Sequence, residues 1–131
     1  MLAKTRYVAL SEFRSQLAQF LRFSAAAARA AGLQPLQYQL LLHLRGFPGR
    51  DWAAVGELAA CLNASHQAAV ALVQRCVRNR LVRKRRHARD RRRVEIHLTA
   101  RGRRLVARVA AQHRDELHRL GAVLRAATAA R

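Results

Sequence analysis

The feature that most constrains this chain is a change of hydrophobic period. From Tyr7 to Asn79 apolar residues recur every three or four positions. Between Leu81 and Leu98 they alternate, and from Ala100 to Thr128 the helical spacing returns. A chain built this way is mainly α-helical with one β-hairpin near its C-terminal end. At 131 residues and 51% hydrophobic it has the length of one domain and too much apolar content to be disordered.

Residues 6–31 read as one long helix whose stripe is Leu10, Phe13, Leu17, Phe20/Leu21, Ser24 and Ala28, closed by Gly32. Pro35 opens a second helix with Leu36, Leu40, Leu41 and Leu44 facing inward, and Gly46–Asp51 breaks it. Val55–Leu62 reads as a short helix with Leu58, Ala59 and Leu62 on one side. Asn63-Ala64-Ser65 makes a tight turn, and Ser65 caps a helix to about Asn79. That helix buries Val70, Val73, Cys76 and Val77 and shows His66, Gln67, Ala71, Gln74, Arg75 and Arg78 on its outer face. Two short helices joined by three residues, the second with a polar, basic face, form a helix-turn-helix. Leu81–Arg86 and Arg93–Leu98 suit the two strands of a wing, with a basic tip over His87–Arg92. Thr99 caps a last helix, residues 100–128, with the stripe Val106, Val109/Ala110, His113, Leu117, Leu120 and Leu124.

Charge supports this architecture. The chain carries 26 Lys+Arg against 7 Asp+Glu, net +19. All but Lys4 and Lys84 of the basic residues are arginines. Residues 78–104 hold 13 of the basic residues and 2 acids, so more than half of the excess sits on the hairpin and its flanks. Such a concentration points to a polyanionic partner. Gln67 is suited to reading adenine, and Ser65 and His66 stand at a helix N-terminus suited to phosphate. Arg75 and Arg78 suit phosphate or guanine. Arg83, Arg85, Arg89, Arg91 and Arg93 suit backbone phosphates, and Arg92 at the tip suits a narrow minor groove. Asp90, the one acid among these cations, would be repelled by a polyanion. Its expected role is to fix the wing through a salt bridge to Lys84 or Arg86.

The terminal helices have more apolar surface than a chain of this size can cover alone, so a two-fold dimer is expected, offering two identical readers to the half-sites of a palindrome. An RNA-binding or ribosome-associated protein is the alternative. The absence of Phe, Tyr and Trp from residues 78–104 argues against it, because RNA modules stack bases on aromatic rings. A chain that kept this fold but had given up DNA would not need the basic wing. No catalytic motif is present, and no cofactor or metal is expected; His113 and His118, five apart, diverge around a helix. His113 reads as a hydrogen-bonded interface residue, and Cys76 as a core residue. Cys61 lies off its helix stripe and is the candidate for a redox role. The N-terminus lacks a secretory h-region and no apolar run reaches membrane-spanning length, so a cytoplasmic, nucleoid-associated protein without membrane contact is expected.

Asp90-Arg91-Arg92-Arg93-Val94-Glu95-Ile96-His97-Leu98-Thr99-Ala100-Arg101-Gly102 fits D-x-R-x5-L-T-x-x-G, the wing signature of the MarR family of transcription factors. Leu33–Leu41 resembles that family's second helix, and Val55-Gly56-Glu57-Leu58-Ala59 the start of its helix-turn-helix. The resemblance covers roughly residues 10–125. It implies a single domain over 1–131, with dimerisation helices at about 6–31 and 100–128 and a winged helix-turn-helix at about 35–99. It also implies a triangular homodimer that represses, or sometimes activates, nearby genes, with Arg92 entering the minor groove. In many members a small phenolic or aromatic anion, or an oxidant, releases the DNA. Phe13, Phe20, Tyr38 and Trp52, with Tyr7, are the aromatics available to line such an effector pocket. The alternative for them is an ordinary core role. Two positions depart from the pattern. Arg80 stands where the family has Gly before the first wing strand, so either Arg80 or Asn79 must take any left-handed backbone position. Ala54 replaces a capping Thr.

Overall fold

The computed structural model describes residues 1–129. Among the described residues six helices, α1 (Lys4–Ala30), α2 (Pro35–Arg45), α3 (Val55–Leu62), α4 (His66–Arg78), α5 (Ala100–Ala111) and α6 (Arg114–Ala129), accompany three short strands: β1 (Trp52–Ala53), β2 (Val82–Arg86) and β3 (Val94–Leu98). The strands form one antiparallel sheet in the order β1-β3-β2.

Three of the helices end in the same way. After α1, Gly32 takes φ +83° and the Leu33 amide donates to the Ala28 carbonyl at 2.9 Å. After α3, Asn63 takes φ +52° and the Ala64 amide reaches the Ala59 carbonyl at 2.9 Å. After α4, Arg80 takes φ +59° and the Leu81 amide reaches the Cys76 carbonyl at 2.8 Å. These are Schellman closures, in which one left-handed residue turns the chain and satisfies an orphan carbonyl. The left-handed position before the wing therefore falls on Arg80. Asn79, at φ −86°, instead accepts a 2.7 Å hydrogen bond on Oδ1 from Gln37 Nε2.

Leu40, Leu41 and Leu44 of α2 are fully buried at the centre of the core, with Leu58, Val73, Ile96 and Val106 around them. Leu36 is 52% exposed, contrary to expectation, and Gln37 is buried in the same turn. The amide of Gln37 tolerates burial because both ends are bonded: Oε1 accepts from Gln34 N at 3.0 Å and Nε2 donates to Asn79. On α4 the buried stripe is Ala69, Leu72, Val73 and Cys76, rotated from the expected one; Val77 is exposed.

The C-terminal helix is not continuous. It breaks at Gln112-His113, where His113 turns its ring inward and Nδ1 donates to the Val109 carbonyl at 2.8 Å. Phe20, Phe23 and Tyr38 surround that ring at centroid distances of 5.5–5.7 Å. Beyond the break α6 packs along α1, yet none of its residues is fully buried. In α1, 27 residues and about 40 Å long, only Ala27 and Ala28 are buried. Tyr7, Leu10, Leu21, Leu117 and Leu124 of these two helices all face outward. No helix among the described residues is long and apolar enough to cross a membrane.

Candidate nucleic-acid interface

Ser65 sets the start of α4: its Oγ accepts from the Ala68 amide at 3.1 Å. His66, Gln67, Ala71, Gln74, Arg75 and Arg78 are all exposed, while the opposite side of the helix is anchored in the core. The cap uses only an acceptor lone pair of the Ser65 hydroxyl, so its O–H stays available at the exposed start of the helix.

The hairpin follows directly from α4 and packs against it. Its register pairs Arg83 with His97, Lys84 with Ile96, Arg85 with Glu95 and Arg86 with Val94. Arg83, Lys84, Arg85, Arg86, Arg89, Arg91, Arg92 and Arg93 are all exposed. The root of the hairpin is tightly sutured. The Thr99 hydroxyl accepts from Gly102 N at 3.0 Å and donates to the Arg80 carbonyl at 2.6 Å, while Thr99 N donates to the Leu81 carbonyl at 3.0 Å. Gly102 is buried against that strand: a Cβ there would stand 2.1 Å from the Leu81 carbonyl oxygen. The L-T-x-x-G pattern is thus the joint between wing and α5.

Asp90 does not pair with Lys84 or Arg86. Its Oδ1 accepts from Arg92 N at 3.1 Å and lies 3.5 Å from Arg92 Nε, so it caps its own turn and steadies Arg92 directly. Arg86 serves the tip differently, donating to the Arg91 carbonyl at 2.8 Å. Lys84 contributes to neither bond. The Arg92 side chain remains 94% exposed and free to enter a groove.

Behind the wing Trp52, expected at an effector pocket, falls in a cluster with His87, Glu95, Arg50 and Glu57, to which no sequence pattern gave a role. Glu95 is buried on the outer face of the sheet, 2.8 Å from His97 Nε2 and 3.7 Å from His87 Nε2. The Trp52 ring meets His87 edge-on at 5.7 Å, Arg50 lies over Trp52 at 3.9 Å and over Phe47 at 4.7 Å, and Arg50 also pairs with Glu57. Glu57 accepts from Ala54 N at 2.9 Å, supplying the helix start that Ala54 cannot cap by itself. That backbone bond, helped by Arg50, holds its carboxyl below the usual range. The two-residue strand β1 was too short to announce itself by alternation, so nothing in the pattern tied Trp52 to the wing.

The four expected pocket aromatics do not converge. A cavity of about 370 Å³ between α1, α2 and the α5–α6 break is lined by Phe20, Tyr38 and His113, with Leu21, Ser24 and Leu42. Phe13 lies further along α1, outside that lining, and Trp52 lies in the sheet. His113 Nε2 is buried without a hydrogen-bond partner. Burial raises the Tyr38 hydroxyl above its ordinary range. Cys61 is exposed; Cys76 is buried, and desolvation pushes its thiol up to about 11. No metal-binding cluster occurs among the described residues.

A helix-turn-helix followed by a basic antiparallel hairpin, flanked by long helices, defines a winged-helix protein. Residues 31–93, just under half of the chain, match the family model of the MarR family. The fold is shared with AbsC, a MarR family transcriptional regulator from Streptomyces coelicolor, at TM-score 0.73 and 22% identity over 92% of this chain and 80% of that one. A MarR family protein from Bacillus stearothermophilus gives TM-score 0.74 and 24% identity over 88% and 80%. A mutant E. coli MarR complexed with operator DNA gives TM-score 0.68 and 18% identity over 82% and 75%. No curated protein matches in sequence.

Proposed function

We propose that the chain is a homodimeric, sequence-specific regulator of transcription that binds palindromic double-stranded DNA. The observation that carries this reading is the polar face of α4 leading straight into a hairpin whose eight cationic side chains are all exposed. His66, Gln67, Ala71, Gln74, Arg75 and Arg78 face the major groove; Arg83, Arg85, Arg89, Arg91 and Arg93 hold phosphates; Arg92 enters the minor groove. That a similar fold, the E. coli MarR, was crystallised with operator DNA supports the assignment. The outward Leu10, Leu21, Leu117 and Leu124 on the terminal helices support dimerisation, since a second copy would cover them. Half-sites then lie about one helical turn apart.

Repression relieved by a small aromatic or anionic effector is the regulatory reading. The cavity beside His113 supports it for an aromatic effector: aromatic walls suit a ring, and the unpartnered Nε2 suits a hydrogen-bond donor such as a phenol O–H. Release by an oxidant rests on Cys61, the exposed thiol.

The experiment is selection from a random duplex pool, followed by gel shifts with the duplex recovered. Arg92→Ala is expected to weaken binding, and affinity to fall about 10³–10⁵-fold between 50 and 200 mM salt if about 6–10 phosphates are neutralised. No enrichment of a palindrome, or wild-type affinity in Arg92→Ala, refutes the assignment. Stronger retention of RNA than of duplex DNA at about 150 mM salt would favour the RNA-binding alternative.

A further inference from the structure

We propose that His87 is a proton-operated latch of the wing: as neutral imidazole it holds the tip in its reading shape, and protonation at Nδ1 lets the tip go. This inference rests on the duplex-binding reading above, but its structural half can be tested without DNA.

The geometry carries the argument. His87 is the first residue after β2, and its backbone amide donates to the Arg93 carbonyl at 2.9 Å, closing the neck of the tip. Its Nδ1 accepts from two backbone amides inside the tip, Arg89 N at 3.2 Å and Asp90 N at 3.3 Å. An imidazole nitrogen that accepts cannot carry a proton, so the neutral ring holds its hydrogen on Nε2, which faces Glu95 Oε2 at 3.7 Å. Asp90, so placed, caps the Arg92 amide through Oδ1. Asp90 is held from two sides, its amide by His87 Nδ1 and its carbonyl by Arg93 N at 3.0 Å, so the setting of Arg92 depends in part on one lone pair of His87.

Adding a proton from solvent removes that lone pair. Two acceptor contacts become donor against donor, and both amides must turn to water. Imidazole is the side chain that makes this change near physiological pH. The charged groups around it oppose one another. On β3, the Glu95 carboxylate faces the ring, but it is shared with His97 Nε2 at 2.8 Å and stands opposite Arg85 of β2. From the β1 side Trp52 covers the ring edge, with Arg50 stacked on it and Glu57 of α3 neutralising Arg50. Arg93 lies 5.8 Å from the Trp52 ring, and Arg86, Arg89, Asp90 and Arg92 complete the tip. Nε2 faces the Glu95 carboxylate in both states, so protonation turns that contact into an ion pair while the new Nδ1 proton turns to water.

The test has two arms. In the first, nitrogen-resolved NMR of the whole chain follows the His87 ring and the Arg89 and Asp90 amides from about pH 8 to 5.5. The expected result is an Nε2-H tautomer at high pH and amide shifts at both residues with the midpoint of the His87 ring. An Nδ1-H tautomer at high pH, or amides indifferent to the ring's titration, overturns the proposal. In the second arm, His87→Asn keeps an acceptor that cannot charge, and His87→Phe keeps a ring that cannot accept. Wild type and His87→Asn are expected to bind the selected duplex alike at pH 8, with wild type weaker by about tenfold at pH 5.5, and His87→Phe to be weak at both. All other histidines are common to the three proteins, so parallel pH profiles for wild type and His87→Asn would refute the latch. If no duplex is bound at any pH, the functional reading fails while the first arm still decides the latch.

Discussion

Replacing Gly102 by alanine should destabilise the protein even though alanine is the better helix former. Gly102 lies in the first turn of α5, where the exchange would ordinarily gain up to about 1 kcal/mol. Here the added Cβ would stand 2.1 Å from the Leu81 carbonyl oxygen and 3.1 Å from its carbon, roughly 1.3 Å short of ordinary contact at the oxygen. Backbone cannot swing aside as a side chain can. Relief means separating α5 from the strand root, and this strains the Thr99 N to Leu81 O bond at 3.0 Å and the Thr99 hydroxyl to Arg80 O bond at 2.6 Å. Two such bonds at about 1 kcal/mol each, with overpacking of about 1–3 kcal/mol, outweigh the propensity gain and leave a net loss of about 2–4 kcal/mol. For a domain of this size that lowers Tm by roughly 10 °C. The internal control is Gly56→Ala in α3, where a Cβ meets nothing within 4 Å; it should leave Tm unchanged or raise it slightly. Both melts are run at one protein concentration, because dimerisation would couple Tm to concentration. A Gly102→Ala protein that melts at or above wild type would show that α5 does not sit this close to the wing root.

Arg80→Gly should raise stability by about 0.5–1 kcal/mol in urea unfolding, because φ +59° strains an arginine and suits glycine. Ser65→Ala should cost about 1 kcal/mol in the same assay through loss of the α4 cap, and it should also weaken duplex binding because α4 loses its fixed start. A thiol reagent at about pH 8 should label Cys61 quickly and Cys76 only on unfolding. Since the Cys76 thiol is raised to about 11, its contribution to stability is complete below the unfolded-state value near 9 and is lost as pH climbs from there toward 11. Urea midpoints that did not fall over that window would contradict its burial.

Elements with a long apolar period were legible in the sequence, and so were both caps at Ser65 and Thr99, because each depends on residues close together in the chain. The rotation of α2 was not. Leu36 looked like a core residue, but the site opposite Asn79 is better filled by Gln37, whose partner lies 42 residues away. The break at Gln112-His113 was hidden because His113 falls on the apolar stripe whether or not the helix continues. Asp90 was recognised as a wing-fixing residue, but its partner was sought across the hairpin when the Asx-turn to Arg92 two residues on was sterically nearer. Trp52, Glu95 and His87 come together only once a two-residue strand is laid beside β3, and no local pattern announces a strand that short.

The interruption between α5 and α6 divides the molecule's loads. The wing is stitched to α5, whereas α6 lies against α1. Two corners, at Gly32 and at Gln112-His113, join the reading half to the scaffold half. The cavity under His113 opens between them, like a keyhole at the elbow. On the effector reading proposed above, a small ligand lodged there would bear on both corners together, and any tilt at the elbow would be magnified by the distance to the hairpin tip.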